Sequence, residues 1–174
     1  MVDTVVTVNL FNNLWVLICG ALVFIMTISV GLLEIGELGK DYRQGLLKTI
    51  IIVCIAFFMM AFVGFNTAFA PCIGGIIGNP LYSAPFLGGF STDSPGLLQG
   101  VWWSMGPDYF NTEVTLSTYF FFETAFASVT LALVGLISLR KMKLSAFTVF
   151  AVAYFAIIWS LPAAWIWNPT GWLY

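Results

Sequence analysis

Hydrophobic residues occur along this chain in four long runs, and polar or Gly/Pro-rich segments separate the runs. The runs cover about residues 14–33, 49–70, 115–139 and 144–167. A membrane-spanning helix needs about 20 mostly apolar residues, because each adds about 1.5 Å across a hydrocarbon core of about 30 Å. An open strand would leave backbone groups unpaired in lipid, so each run is predicted to be a helix. The pattern therefore predicts an all-α membrane protein with four transmembrane helices in a single membrane domain, residues 1–174.

The segment between the second and third runs, about residues 71–114, differs from the rest of the chain. It contains five of the seven prolines and many glycines, which break helices. The segment is nevertheless apolar, and Trp102 and Trp103 within residues 97–105 indicate a short helix at the membrane interface, where Trp is favoured. We therefore predict a Gly/Pro-rich segment that does not span the membrane.

The basic residues all lie in the two short connections, three between the first and second runs and three between the third and fourth. They are Lys40, Arg43, Lys48, Arg140, Lys141 and Lys143. The long middle segment carries Asp93, Asp108 and Glu113 and no basic residue. Because short cytoplasmic loops are enriched in Lys and Arg, both basic connections are predicted to face the cytoplasm. Both chain ends and the Gly/Pro-rich segment are then outside, an N-out, C-out topology.

The composition supports a lipid environment and excludes several functions. Hydrophobic residues make up 60% of the chain and charged residues 8%, against about 25% charged residues in a soluble domain. We predict a multi-pass protein of the cell membrane whose surroundings are the lipid bilayer. The net charge of -2 and the absence of a long basic run argue against a nucleic-acid partner.

Metal and cofactor chemistry has little support in the sequence. The chain has no histidine, so a His-ligated metal site within it is impossible. The three cysteines, Cys19, Cys54 and Cys72, fit no zinc or redox spacing, and we interpret them as small packing residues. No phosphate-binding loop or nucleophile motif occurs. We therefore expect no metal, no cofactor, no catalytic residue and no enzymatic activity of the chain alone.

Glu123 is the most informative single residue, because it lies inside the third run among aromatic residues. A carboxyl group at membrane depth is costly unless it is protonated, paired or hydrated. One interpretation is a neutral group that is hydrogen-bonded to a neighbouring helix. The other is a functional carboxylate that pairs with a cation or a base from another chain, since the basic residues of this chain lie at the opposite side of the membrane.

Glu34 and Glu37 lie one turn apart at the end of the first run, near Lys40, Asp41 and Arg43. We interpret the group as an interfacial salt-bridge cluster. A catalytic pair of carboxylates is compatible with the spacing, but the spacing is not specific.

Several segments, in the same order, resemble the ammonium transporter (Amt/Rh) family. Residues 122–127 read FETAFA and residues 140–147 read RKMKLSAF, similar to a Phe-Gln-x-x-Phe-Ala helix followed by Arg-Met-Lys-Phe-Ser-Ala. Residues 164–173 read AWIWNPTGWL, similar to His-Trp-x-Trp-x-Pro-x-Gly-Trp-Leu. Residues 21–27 (ALVFIMT) and 64–69 (GFNTAF) also match family segments. The resemblance covers nearly the whole chain, but only the first four helices of a family whose members have eleven.

The resemblance implies roles for two residues and also shows departures. Phe126 would match the inner of two stacked phenylalanines that close the outer pore mouth. Trp167 would match the tryptophan that lines the outer cation-recruitment site. Glu123 stands where the family usually has Gln, and Ala164 stands where it often has His. The family's pore histidines match no residue of this chain.

These observations leave three hypotheses about function. The first is a truncated ammonium-transporter-like membrane protein that cannot conduct alone and handles ammonium or ammonia with partner chains, as a homo- or hetero-oligomer. The second is a non-catalytic accessory subunit of a larger membrane complex, such as an ammonia monooxygenase. The third is a fragment of a full-length ammonium channel.

Overall fold

The structure, a computed structural model, describes residues 2–80, 116–138 and 142–174, and for residues 2–9, 41, 116 and 117 it describes the backbone alone. Its helices are α1 (Val2–Leu38), α2 (Tyr42–Met59), α3 (Phe65–Phe69), α4 (Leu116–Ile137), α5 (Leu144–Ala153) and α6 (Ser160–Ile166). A 3-10 turn, Gly39–Asp41, joins α1 to α2. Two short antiparallel strands, β1 (Cys72–Ile73) and β2 (Ile77–Gly78), follow α3.

Among the described residues, four helical stretches are long and apolar enough to cross a membrane, which confirms the predicted four-helix membrane fold. We call them the first span (Leu10–Leu38), the second span (Tyr42–Phe69), the third span (Thr118–Ile137) and the fourth span (Leu144–Ile166). The first two are longer than the apolar runs, because helix continues through the polar residues on both sides of the 3-10 turn.

The second and fourth spans each contain one π-helical segment, Met60–Gly64 in the second and Tyr154–Ile158 in the fourth. In the fourth span this segment precedes Pro162, which has no N–H and whose ring crowds the carbonyl four residues earlier. The Ser160 hydroxyl donates to the Phe155 carbonyl at 2.7 Å and so satisfies a backbone acceptor of the widened turn. The π segment thus lets a proline-containing helix continue.

Close helix contacts at glycines set the arrangement of the spans. A Cβ on Gly20 would lie 3.0 Å from the Phe121 ring, and a Cβ on Gly135 would lie 3.9 Å from the Glu34 carboxylate. These contacts place the first and third spans side by side and parallel. A Cβ on Gly64 would meet the Phe155 carbonyl at 2.5 Å, so the second and fourth spans touch at their π segments.

Aromatic rings fill the interior between the spans. The Phe57 ring lies 6.1 Å from Phe24, 6.4 Å from Phe120 and 6.3 Å from Phe121, and so joins the first three spans. Phe147 and Phe155 bring the fourth span into the same buried cluster. Exposed apolar side chains cover the outside of the first span, as expected of a helix that faces lipid.

The two ends of the bundle differ in composition. The basic end carries the exposed side chains of Lys40, Arg43 and Lys143, and the Gln44 amide donates to the Met142 carbonyl at 3.3 Å. The turn between the first and second spans and the start of the fourth span therefore lie at this end. The opposite, aromatic end carries the β1–β2 hairpin and the segment after α6. The Trp172 N–H donates to the Gly75 carbonyl at 3.0 Å and joins the hairpin to that segment.

The structure corrects the predicted position of Lys48 and leaves other predictions open. Lys48 was expected in the connection between the first two helices, but its side chain is fully buried because α2 begins at Tyr42 and Lys48 faces the bundle interior. The predicted interfacial helix at residues 97–105 and the acidic residues of the Gly/Pro-rich segment lie outside the described residues. The N-out, C-out orientation stays a prediction.

Candidate functional site

The turn after α6 is held by Asn168, which is completely buried. Its amide donates to the Ala68 carbonyl at 3.0 Å and to the Ala70 carbonyl at 2.7 Å. Its side-chain oxygen accepts hydrogen bonds from the Thr170 N–H at 3.0 Å and the Thr170 hydroxyl at 2.8 Å. Because these bonds join the end of the fourth span to the end of the second, they also position the neighbouring Trp167.

Trp167 borders a depression of about 190 Å³ on the fourth span, near the aromatic end. Its side chain is 47% exposed, and its ring centroid lies 6.1 Å from that of Trp159 with 51° between the planes. The depression is lined by Tyr154, Ile158, Trp159, Pro162, Ala163, Ile166 and Trp167. Residue 171, in the turn after Trp167, is a glycine, because any side chain at this position would overlap the Ala164 carbonyl.

The lining is aromatic and aliphatic, and none of the lining residues carries a charged side chain. The hydroxyl of Tyr154 lies close to Thr130 of the third span. Aromatic faces attract cations through the ring quadrupole, and Trp does so most strongly. The depression therefore offers a surface suited to a small cation without an anionic ligand.

Phe126 lies on the third span and is half-buried. Its ring centroid lies 4.8 Å from that of Phe122, one turn earlier, and it packs against the buried core. It is not among the residues that line the depression at Trp167. The two positions that family resemblance singled out thus lie on different spans, and only Trp167 borders this depression.

Glu123 is buried, with 6% of the residue exposed. The Tyr119 hydroxyl, one turn earlier on the same helix, is hydrogen-bonded to its carboxyl group. The Tyr119 ring lies 5.2 Å from that of Phe69, so the second span covers this partner. The carboxyl group therefore has a local partner within the third span.

The predicted cluster at the end of the first span is arranged differently. Glu34 does not face Lys40 or Arg43, whose side chains are exposed; it forms a 3.1 Å ion pair with Lys48 in the interior. Glu37 is exposed. The interpretation of Glu34 as interfacial was wrong, because the helix continues to Leu38 and turns Glu34 toward the second span.

Sequence reasoning missed three of the positions that organise these sites, Lys48, Trp159 and Asn168. A signal existed for the ion pair: Glu34 and Lys48 are on either side of a short turn between two antiparallel helices, so they face each other across it. No local signal distinguished Asn168 from an exposed turn residue. In the described parts of the chain, no group of three His, Cys, Asp or Glu side chains could hold a metal ion.

Comparison with known proteins identifies the family. The profile of the Ammonium Transporter Family matches residues 14–174. An ammonium transporter of Aquifex aeolicus is 29% identical over 165 residues, covering 90% of this chain and 34% of the relative. Ammonium transporter 2 of Schizosaccharomyces pombe is 24% identical over 165 residues, covering 94% of this chain and 29% of the relative. The chain thus spans about a third of the length of these relatives.

Two solved structures share the fold. A protein described as a Sensor Amt Protein superposes with a TM-score of 0.68 at 20% identity, covering 99% of this chain and 38% of that protein. Mep2 of Saccharomyces cerevisiae superposes with a TM-score of 0.69 at 21% identity, covering 92% of this chain and 32% of that protein. With its four spans and the match over residues 14–174, this chain belongs to the ammonium transporter family.

Proposed function

We propose that this chain provides an outer recruitment surface for ammonium and does not conduct ammonium by itself. The observation that carries the proposal is the uncharged aromatic depression at Trp167 and Trp159. The relatives are named ammonium transporters, so the cation that fits best is ammonium. A cation over the half-exposed face of Trp167 gains about 0.5–1 kcal/mol, and more where water is excluded.

Two features of the chain support the proposal that it does not conduct ammonium by itself. They include no histidine, and the depression is open on one side of the fourth span rather than enclosed. Phe126 is half-buried on the third span, where further helices could complete an enclosing wall. In this proposal, those helices come from partner chains, either further copies of this chain or different membrane subunits, or from a longer form of the same protein.

Ammonium binding is tested with the chain labelled with 5-fluorotryptophan in lipid nanodiscs. Titration with ammonium chloride against sodium chloride should shift the ¹⁹F resonance of Trp167, assigned with Trp167→Phe. The control is Trp172, which is 61% exposed at the same end but outside the depression. Trp167→Leu should weaken the affinity, now read from the ¹⁹F resonance of Trp159, about two- to fivefold, the equivalent of 0.5–1 kcal/mol. Equal shifts at Trp167 and Trp172 would contradict a recruitment site.

Conduction is tested by reconstituting the purified chain into liposomes. We expect no ammonium-dependent current or pH change above that of empty vesicles, with the Aquifex aeolicus relative as a positive control. Robust flux from the chain alone would overturn this part of the proposal. Proteins that co-purify in mild detergent then identify the partners. Co-purification with the subunits of an enzyme complex, without ammonium binding, would support the accessory-subunit hypothesis instead.

A further inference from the structure

A buried ion pair lies near the basic end of the bundle, far along the spans from the aromatic depression. The Lys48 Nζ lies 3.1 Å from the Glu34 Oε1, and the two side chains are 0% and 2% exposed. The turn at Gly39–Asp41 makes the first two spans antiparallel, which brings these residues face to face. The pair therefore joins the first span to the second inside the bundle.

The third and fourth spans reach the same point. The Lys48 Nζ lies 5.2 Å from the centroid of the Phe147 ring, which is completely buried. A Cβ on Gly135 would lie 3.9 Å from the Glu34 Oε2 and 3.5 Å from the Phe147 Cζ. All four spans thus meet around one pair of opposite charges.

Glycines bring the backbones close together around the pair. A Cβ on Gly45 would lie 3.1 Å from Leu38, and a Cβ on Gly31 would lie 2.7 Å from the Thr49 Cγ2. Such close approach excludes water from the region between the first two spans. Two charges in a dry interior are tolerated only when each neutralises the other, and removal of one leaves a lone charge that requires water.

We propose that Glu34, Lys48 and Phe147 form an ionic seal that keeps water out of the bundle at its basic end. The seal is conditional: it is closed while both charges are present, and loss of either charge alone draws water in beside the remaining one. Loss of both charges together, with the volume kept, leaves the end closed. This inference is independent of ammonium binding at Trp167, which lies at the other end of the fourth span.

The test uses a thiol beside the pair as a reporter of water. Gly135→Cys is introduced into the full chain with the native cysteines replaced by Ala, because the Cβ at 135 meets its neighbours at ordinary contact distances. Reaction with a water-soluble maleimide is followed in nanodiscs by peptide mass spectrometry. We expect Glu34→Gln and Lys48→Gln each to speed labelling about tenfold or more. Glu34→Leu combined with Lys48→Met should restore protection.

Glu37→Gln is the matched control, since Glu37 is exposed and one turn from Glu34. It should leave the labelling rate unchanged. Folded single variants that label at the rate of the parent would overturn the seal, as would equally fast labelling in the Glu37→Gln control. If the single variants do not fold, the double variant decides: a folded, protected protein supports the seal, and an unfolded or readily labelled one overturns it.

Discussion

At the scale of single residues, the buried polar groups divide into those with partners and those without. Ser128 and Thr67 donate to the carbonyl four residues earlier, at 2.7 Å and 2.9 Å. The hydroxyls of Thr27 and Thr124 are fully buried and have no hydrogen-bond partner among the described residues. Buried polar groups in a membrane interior are stabilised by local hydrogen bonds. For the carboxyl group of Glu123, the local partner is Tyr119.

The residue-scale prediction concerns Glu123→Gln. We expect the carboxyl group of Glu123 to be neutral and to act as a packing group. The amide of Gln has the same shape and can accept the same hydrogen bond from the Tyr119 hydroxyl, so the substitution should cost little stability. The free energy of unfolding should change by less than about 1.5 kcal/mol, the worth of an ordinary hydrogen bond. Thermal unfolding in detergent measures this change, with Tyr119→Phe as the control that removes the donor.

The alternative for Glu123 is a charge on a partner chain. In that case Glu123→Gln would leave the partner's charge buried alone and loosen the complex by several kcal/mol. Retention of the complex during purification in mild detergent distinguishes the two. We expect the complex to be retained, and dissociation on this substitution would show that Glu123 is an intermolecular ligand.

At the scale of the elements, small residues decide how closely the spans approach. Gly31 lies against Thr49, whose hydroxyl donates to the Gly45 carbonyl at 3.0 Å and so cannot easily rotate away. Gly36, on the same helix, has nothing within 4 Å of its Cβ position. Both glycines are therefore helical residues, but Gly31 packs tightly against the second span and Gly36 packs against nothing among the described residues.

The element-scale prediction compares Gly31→Ala with Gly36→Ala. The added methyl group at position 31 would overlap the Thr49 side chain and force the first and second spans apart. We expect a loss of about 1–3 kcal/mol in the free energy of unfolding, as for other overpacked sites. At position 36 the same change should be neutral or stabilising by up to about 1 kcal/mol, because Ala favours helix over Gly. Thermal unfolding of both variants in one detergent measures the difference; equal losses would mean that the contact at Gly31 is unimportant.

At the scale of the whole molecule, the two ends of the bundle have distinct chemistry. The hydrogen bond from Gln44 to Met142 brings the start of the second span and the start of the fourth span together at the basic end. Trp165 and Trp172 lie at the other end, where the Trp165 ring N–H donates to the Ile76 carbonyl at 2.7 Å. Trp belongs at a membrane interface and Lys and Arg at the cytoplasmic side, so this asymmetry supports the N-out, C-out proposal.

The whole-molecule prediction concerns that orientation. In a background without the native cysteines, single cysteines at positions 92–96 should react with an impermeant reagent added outside sealed cells. Single cysteines at positions 39–44 should react only after permeabilisation, because they belong to the basic connection. Labelling of positions 39–44 in sealed cells would reverse the topology.

The sequence alone was sufficient to predict the number and approximate position of the spans and the family. The length of an apolar run can be read from the local sequence. Every membrane-spanning helix has to cross the same thickness of hydrocarbon and to satisfy its own backbone hydrogen bonds. The positions of the helix ends were harder to predict from the sequence. The runs ended where polar residues began, whereas the helix continues through Glu34 because a partner on another span neutralises it.

Only the tertiary structure decided what the polar and aromatic residues do. Glu34 was placed at an interface by its neighbours in sequence, but its neighbour in space is Lys48, and Phe147 lies over that pair. The depression at Trp167 likewise depends on Trp159, which lies two turns earlier, directly after the π segment. The sequence specifies which side chains are available, while their partners depend on the register between spans that lie far apart in the chain. That register follows from close contacts at Gly20, Gly31 and Gly64, which exist only once the helices have packed together.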